Sequence, residues 1–256
     1  MLSELSNKEK VFKLLKGIET GDPDAASVVN EKRYVQHNPH TGEGSLGLAE
    51  LFKQIAKTGP KVTMVRAFED QDFVFAHMKY EFSSVKAAFE VFRFEDGLAV
   101  EHWDNLQPLA GPNPSGHGML DGPQQSSDLH LTETNRTLVR EYVNEVLINR
   151  QLQRLEDFVS STDFIQHNPE MRDGVASLHE ALSLGENDRY ALTYTTLHRV
   201  LAEGDFVLSV SEGLWRDTHS SFYDLFRVQE GKLVEHWDTI EPIPPRSQWK
   251  NDNGKF

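Results

Sequence analysis

Apolar residues recur at helical spacing near the start of the chain. Val11, Leu14, Leu15 and Ile18 form one stripe behind Ser6 and Asn7, either of which can cap a helix. A similar stripe, Leu138, Tyr142 and Val146, opens a second such region after residue 130. A short second helix fits next in each region, around residues 22–30 and 151–160, and a third fits 46–57 and 174–184. Between the second and third helices lies a brief extended piece ending in Asn-Pro, a dipeptide that disfavours continuing helix. The rest of each region is rich in Val, Phe and Tyr and reads as strands, broken at Asp70–Asp72, Glu95-Asp96-Gly97, Gly204-Asp205 and Glu230-Gly231. Helices first and a meander last predict an α+β plan in which N-terminal helices wrap a curved antiparallel sheet. Such a sheet makes a cone with an apolar interior, and cone mouths are common small-molecule sites.

The plan appears twice because the sequence repeats. YVQHNP at 34–39 returns as FIQHNP at 164–169, and FVFAHMKYEF from residue 73 answers FVLSVSEGLW from residue 206. AAFEVFRFEDGLAVEHWDNLQPL from residue 87 answers SSFYDLFRVQEGKLVEHWDTIEPI, which ends at residue 243. A repeat of this length matches a whole domain rather than a solenoid unit. The reading is two homologous cone domains, 1–109 and 129–256, joined by a Gly/Pro/Ser-rich linker at 110–128. A tandem copy can also build within one chain the two-fold pair that identical subunits form, so an intrachain pseudo-dimer is expected, with further oligomerisation open.

Composition narrows the partners. The 256 residues carry a formal net charge of −14 without a compensating basic run, which argues against nucleic acid and against an anionic membrane surface. Cys is absent, which removes disulfides and thiolate chemistry and fits a reducing compartment. MLSELSNKEKVFKLLKG lacks the apolar core of a signal peptide, and no apolar run approaches a membrane span. A cytoplasmic protein is expected. Neither a phosphate-binding G-x-x-x-x-G-K-[ST] loop nor an H-E-x-x-H pair is present, so no cofactor and no metal is called for.

The repeated polar residues are the candidates for chemistry. On a strand, Val-Glu-His-Trp-Asp puts His102 and Asp104 on one face and Glu101 and Trp103 on the other, and likewise for His236 and Asp238. An imidazole beside a carboxylate is equipment for general acid–base work, so these four are the candidate catalytic residues. Trp103 and Trp237 read as packing. Gln-His-Asn-Pro leads towards the third helix, which puts His37, Asn38, His167 and Asn168 near a cone mouth as candidate ligand-binding residues. Tyr34 and His77 join them in the first copy alone, since Phe164 and Val210 stand opposite. Glu90 and Asp224 keep a carboxylate in register one strand earlier, and Arg93 and Arg227 stand ready to pair with the motif's acids.

The element order, Q-H-N-P after the second helix and the terminal F-R-x-x-x-G-x-x-x-E-H-W-D hairpin resemble the SnoaL-like proteins of the ketosteroid-isomerase and nuclear-transport-factor-2 superfamily. The resemblance covers both halves and implies a cone-shaped α+β fold with a pocket in each. It implies activity less directly, because that superfamily mixes isomerases, cyclases, lyases and hydrolases with proteins that only bind. One expectation is cofactor-independent proton movement on a small apolar or carbonyl-containing molecule, with His102 or Asp104 taking the proton and His37 or Asn38 steadying the oxyanion. A non-catalytic binder or scaffold, and a cone holding a metal on His37, His102 and a carboxylate, stay open beside it.

Overall fold

The computed structural model describes residues 5–184 and 191–256, so the first four residues of the N-terminal stretch read above lie outside it. The chain divides into two compact units. One is Met1–Pro108 together with Pro244–Phe256, and the other is Leu109–Ile243.

The first unit opens with helix α1 (Asn7–Thr20). Ser6 is its N-cap and forms a reciprocal capping box with Glu9, so two backbone donors that helix geometry leaves unpaired are satisfied. The stripe Val11, Leu14, Leu15 and Ile18 is buried at 5% exposure or less, each side chain contributing roughly 1.5–3 kcal/mol of hydrophobic stabilisation. A short 3-10 helix (Pro23–Val28), the two-residue strand β1 (Val35–Gln36) and helix α2 (Gly44–Ala56) follow. Then come four long strands: β2 (Lys61–Asp70), β3 (Phe73–Glu81), β4 (Val85–Glu95) and β5 (Leu98–Pro108).

The second unit repeats this order. Helix α3 (Thr132–Tyr142) runs into a π-helical turn (Val143–Ile148), which rotates Val143, Val146 and Leu147 onto the buried face together. Helix α4 (Leu155–Phe158), strand β6 (Ile165–Gln166) and helix α5 (Val175–Ser183) come next. The long strands are β7 (Leu192–Glu203), β8 (Phe206–Trp215), β9 (Thr218–Gln229) and β10 (Lys232–Pro242).

Both sheets are open and five-stranded, ordered β1-β5-β4-β3-β2 and β6-β10-β9-β8-β7. They are mixed rather than purely antiparallel. The four long strands alternate direction, but β1 pairs parallel with β5, and β6 with β10. Asp96-Gly97 and Glu230-Gly231, both pairs at positive φ, form the hairpin turns before β5 and β10 and match the strand twist. Each helix layer packs on one sheet face, and the apolar cluster between them forms the core of each unit.

The expected domain boundaries need correction. Residues 109–128 are not a free linker: Asn113 Nδ2 donates to the Gln166 carbonyl, and the Gly118 carbonyl accepts from His167 Nδ1 at 2.7 Å. Residues 244–256 pack in the first unit, where Asn253 Nδ2 donates to the Gln36 carbonyl and the Gly254 carbonyl accepts from His37 Nδ1 at 2.9 Å. The two segments make equivalent contacts: each puts an asparagine amide on the carbonyl of Gln36 or Gln166 and a glycine carbonyl on the histidine that follows. Truncation after Ile243 is therefore expected to speed amide hydrogen exchange at residues 34–41 severalfold, while residues 164–171 stay protected. Equal exchange in both regions would show that the C-terminal tail does not hold the first unit's Gln-His-Asn-Pro.

Candidate functional site

Extended backbone through Gln36-His37-Asn38 sends alternate side chains to opposite faces of the sheet. Gln36 and Asn38 face the helix layer with His102 and Asp104, whereas His37 faces away with Glu101 and Trp103. The Gln36 amide is oriented by the backbone: its Oε1 accepts from the Asn38 N–H at 2.9 Å, so it can only accept from His102 Nδ1, also at 2.9 Å. His102 therefore presents Nε2 to Glu90 Oε2 at 2.6 Å, and Tyr80 donates to the other oxygen of Glu90 at 2.7 Å. Asn38 is fixed in the same way. Its Oδ1 accepts from the His40 N–H, which leaves Nδ2 to donate to Asp104 Oδ2 at 2.5 Å.

The second unit builds the same network. Gln166 Oε1 accepts from the Asn168 N–H and from His236 Nδ1, and His236 Nε2 lies 3.0 Å from Asp224 Oδ1. Asn168 Nδ2 donates to Asp238 Oδ2 at 2.6 Å. The tyrosine is the exception that argues for the network. In the first unit Tyr80 on β3 reaches Glu90, and the residue paired across from it is Val62. In the second unit Gly213 stands in the β8 position and Tyr194 on β7 is paired with it, donating to Asp224 Oδ1 at 3.1 Å. A Cβ on Gly213 would lie 1.9 Å from the Thr193 carbonyl oxygen, so the small residue leaves room for the strand carrying Tyr194. The tyrosine has changed strands and the acid has lost a methylene, yet a hydroxyl still meets the carboxylate.

The electrostatics follow from burial. Asp238, 4% exposed, is pushed up to about 6 by its burial and by the nearby Asp224 charge, against the opposing pull of His236 and Asn168. Burial disfavours the charged His236 ring, but the hydrogen bond to Asp224 and the charges of Asp238 and Asp224 outweigh it and raise its pKa. Burial likewise raises Glu90, only partly offset by His102. Asp238 Oδ1 and Asp224 Oδ2 have no hydrogen-bond partner. Both residues line a cavity of about 20 Å³, walled on its apolar side by Phe164, Leu178, Leu192 and Phe226. That volume holds one water molecule.

Several predicted residues lie elsewhere. His37 and His167 do not converge with His102 and His236. Each stacks on the motif's tryptophan, His37 on Trp103 at 4.7 Å and His167 on Trp237 at 4.7 Å, and each bonds a glutamate, Glu101 at 3.0 Å and Glu235 at 2.9 Å. Arg93 and Arg227 bond these same glutamates at 2.8 Å and not the aspartates. Burial works against charge on Glu101 and Glu235, but the His and Arg hydrogen bonds prevail and lower both. His77 is buried on this opposite face, stacked on Phe89 at 4.3 Å. Tyr34 lies on the helix side with its hydroxyl unpartnered; burial, then the Glu90 and Asp104 charges, raise its pKa. Gln36, Gln166, Tyr80 and Tyr194 complete the network without having been singled out for it. The repeated Gln was the available signal, whereas no spacing could have related two tyrosines on different strands.

Glu90, His102 and Asp104, and Asp224, His236 and Asp238, each bring three potential metal-ligand atoms within 4.8 Å of one another. Those sets could hold a divalent cation if His Nε2 exchanged its carboxylate partner for the ion. As the side chains stand, each histidine bonds the neighbouring acid, Glu90 or Asp224, and each aspartate bonds an asparagine.

Two outcomes follow. Asp238 binds its proton more tightly folded than unfolded, so its stabilising contribution is complete below the ordinary aspartate range and is lost as pH rises through about 6. The raised His236 and Glu90 carry the same sign. Asp238→Asn should therefore gain up to about 3 kcal/mol over the parent at pH 8 and little at pH 4 in denaturant unfolding. A gain that ignores pH would contradict this. Gln166→Leu should cost about 1–3 kcal/mol and lose the slowly exchanging His236 Nδ1 proton in NMR, whereas an unchanged resonance would remove Gln166 from its orienting role.

No protein-family model matches the chain, and no curated protein matches it in sequence. Solved structures do resemble it. They include an NTF2-like protein of unknown function from Cytophaga hutchinsonii, 19% identical over 42% of this chain and 96% of that one, with a TM-score of 0.36. IdmH of Streptomyces antibioticus, a candidate polyketide cyclase, is 16% identical over 39% and 91%, with a TM-score of 0.35. An LEH-like epoxide hydrolase of M. tuberculosis is 18% identical over 39% and 80%, with a TM-score of 0.34. Each match takes up about two-fifths of this chain and most of the other.

Proposed function

We propose that the chain is a small-molecule enzyme of the proton-moving kind and that Asp238 in the second unit is its general base. One observation carries the reading. Asp238 Oδ1 is buried and unpartnered beside an apolar cavity, on a carboxyl whose pKa is pushed up to about 6. A base poised near neutrality is basic enough to take a proton and still mostly free to do so. Asn168 holds the second oxygen of Asp238, which aims Oδ1 at the cavity. Gln166, His236, Asp224 and Tyr194 form the supporting relay: the imidazole, its Nδ1 proton committed to Gln166, can pass or stabilise charge at Nε2. The apolar walls suit a small ketone or a related compound with an acidic C–H. Because the cavity admits one water as it stands, such a substrate enters by displacing that volume and parting the helix-side residues Phe164 and Leu178.

The test is solvent exchange of α-protons in a panel of small apolar ketones in D₂O, followed by proton NMR. The parent protein should exchange at least one of them, and Asp238→Asn should lose about 100-fold or more of the rate, the usual scale of general-base catalysis. Exchange by Asp238→Asn at the parental rate, or no exchange by the parent across the panel, would overturn the reading.

A further inference from the structure

In the second unit three side chains are each held at one end and keep one atom available. Asp238 takes Asn168 Nδ2 on Oδ2, and its Oδ1 has no hydrogen-bond partner. Asp224 takes both of its donors, Tyr194 and His236, on Oδ1, which leaves Oδ2 without a partner. His236 gives its Nδ1 proton to Gln166 Oε1, which the backbone N–H groups of His167 and Asn168 hold in the accepting orientation. A neutral His236 ring therefore carries its lone pair at Nε2. All three residues are buried, and they bring three ligand atoms within 4.8 Å of one another beside the cavity of about 20 Å³.

Metal ligands are prepared in this way. A ligating imidazole donates its other N–H to a fixed acceptor, and ligating carboxylates are themselves hydrogen-bonded. Tetrahedral ligands about 2.1 Å from a zinc ion stand about 3.4 Å apart, so a set within 4.8 Å closes by side-chain shifts of about 1.4 Å or less. The one-water cavity supplies the fourth position, and its size leaves no room for the several waters that Mg²⁺ keeps. The first unit is not prepared in the same way. Glu90 takes Tyr80 and His102 on different oxygens, so neither oxygen is available. Asp104 Oδ1 has no hydrogen bond, but the Lys255 ammonium stands 3.6 Å from it, in a pair with 4% and 7% side-chain exposure. One acid is fully committed there, and a cation already stands at the other.

We propose that Asp224, His236 and Asp238 form a site for one divalent transition-metal ion, that Zn²⁺ is the ion that fits it, and that Glu90, His102 and Asp104 do not form a second. One imidazole and two carboxylates suit zinc, and the Irving–Williams order favours it over manganese or iron on such ligands. The site goes beyond the base reading and does not rest on it. An ion here takes Asp238 Oδ1, so the loaded protein cannot use that oxygen to accept a proton from substrate, and zinc acts as an inhibitor.

The full-length protein is stripped with EDTA, and Zn²⁺ is titrated in competition with a chromophoric chelator. One equivalent should bind. Gln166→Leu, which removes the group orienting His236, should weaken binding about 10–100-fold, and His236→Gln or Asp224→Asn should weaken it further. Co²⁺ should give a visible ligand-field band that His236→Gln loses. Glu212, with His198 and His219 on its two oxygens, is the exposed place for adventitious zinc, and Glu212→Gln should leave the titration unchanged. Should His236→Gln fail to fold, Asp224→Asn keeps the side-chain shape and carries the comparison. No binding, or binding that neither variant weakens, overturns the site. Two equal equivalents, one of them lost in His102→Gln, overturn its assignment to the second unit alone. Saturating zinc should stop the parent's α-proton exchange and EDTA should restore it; exchange untouched by bound zinc would overturn Asp238 as a ligand. If zinc fails to bind while Asp238 still governs exchange, the site falls and the base reading stands. If zinc binds as expected and exchange needs it, the base reading falls and the site stands.

Discussion

Each sheet buries two carboxylates and an imidazole against an apolar helix layer, and much of the surrounding structure follows from keeping them there. Two like charges about 4 Å apart repel by roughly 4 kcal/mol even at the effective dielectric of a protein surface, and burial penalises each further. The chain answers with donors aimed one by one: a tyrosine hydroxyl and an imidazole on the first acid, an asparagine amide on the second. Asn and Gln are useful here because the backbone fixes their orientation. Each amide oxygen accepts from a nearby N–H, which leaves the other end, or the remaining lone pair, committed to the site.

The opposite face shows the same residues in a structural role. His37 and His167 each stack on one tryptophan and are held at both nitrogens by a tail carbonyl and a glutamate that an arginine also clamps. Charges there are matched, which is why Glu101 and Glu235 are lowered while Asp238 and Glu90 are raised. The repeated Glu-His-Trp-Asp thus divides its labour by strand alternation. Glu and Trp anchor the Gln-His-Asn-Pro segment, and His and Asp face the helix layer, where the segment's Gln and Asn bond them.

The duplication makes the two halves a comparison built into one molecule. The tyrosine that moved from β3 to β7 keeps its hydroxyl on the acid, with Gly213 making room. Drift has been tolerated in the scaffold where the hydrogen-bond geometry could be rebuilt. The tails differ more: one carries the buried ammonium of Lys255 to Asp104, and the other buries the Met119 thioether.

Much was legible from the letters, because local physics decides it. Helix stripes, Asn-Pro stops and Asp-Gly or Glu-Gly turns are short-range signals, and the repeat itself announced two domains of one α+β plan. Strand periodicity placed His102 with Asp104 and His236 with Asp238, since the two-residue alternation is a property of any extended chain. What only the tertiary structure decided was which distant groups meet them. The two-residue parallel strands are too short to leave a pattern, yet they bring Gln36 and Gln166 beside the histidines. Nothing in the order of residues relates Lys255 to Asp104 across 151 positions, or Gly118 to His167. Those meetings depend on where each tail packs, and packing is set by the summed surfaces of whole elements rather than by any segment's own sequence.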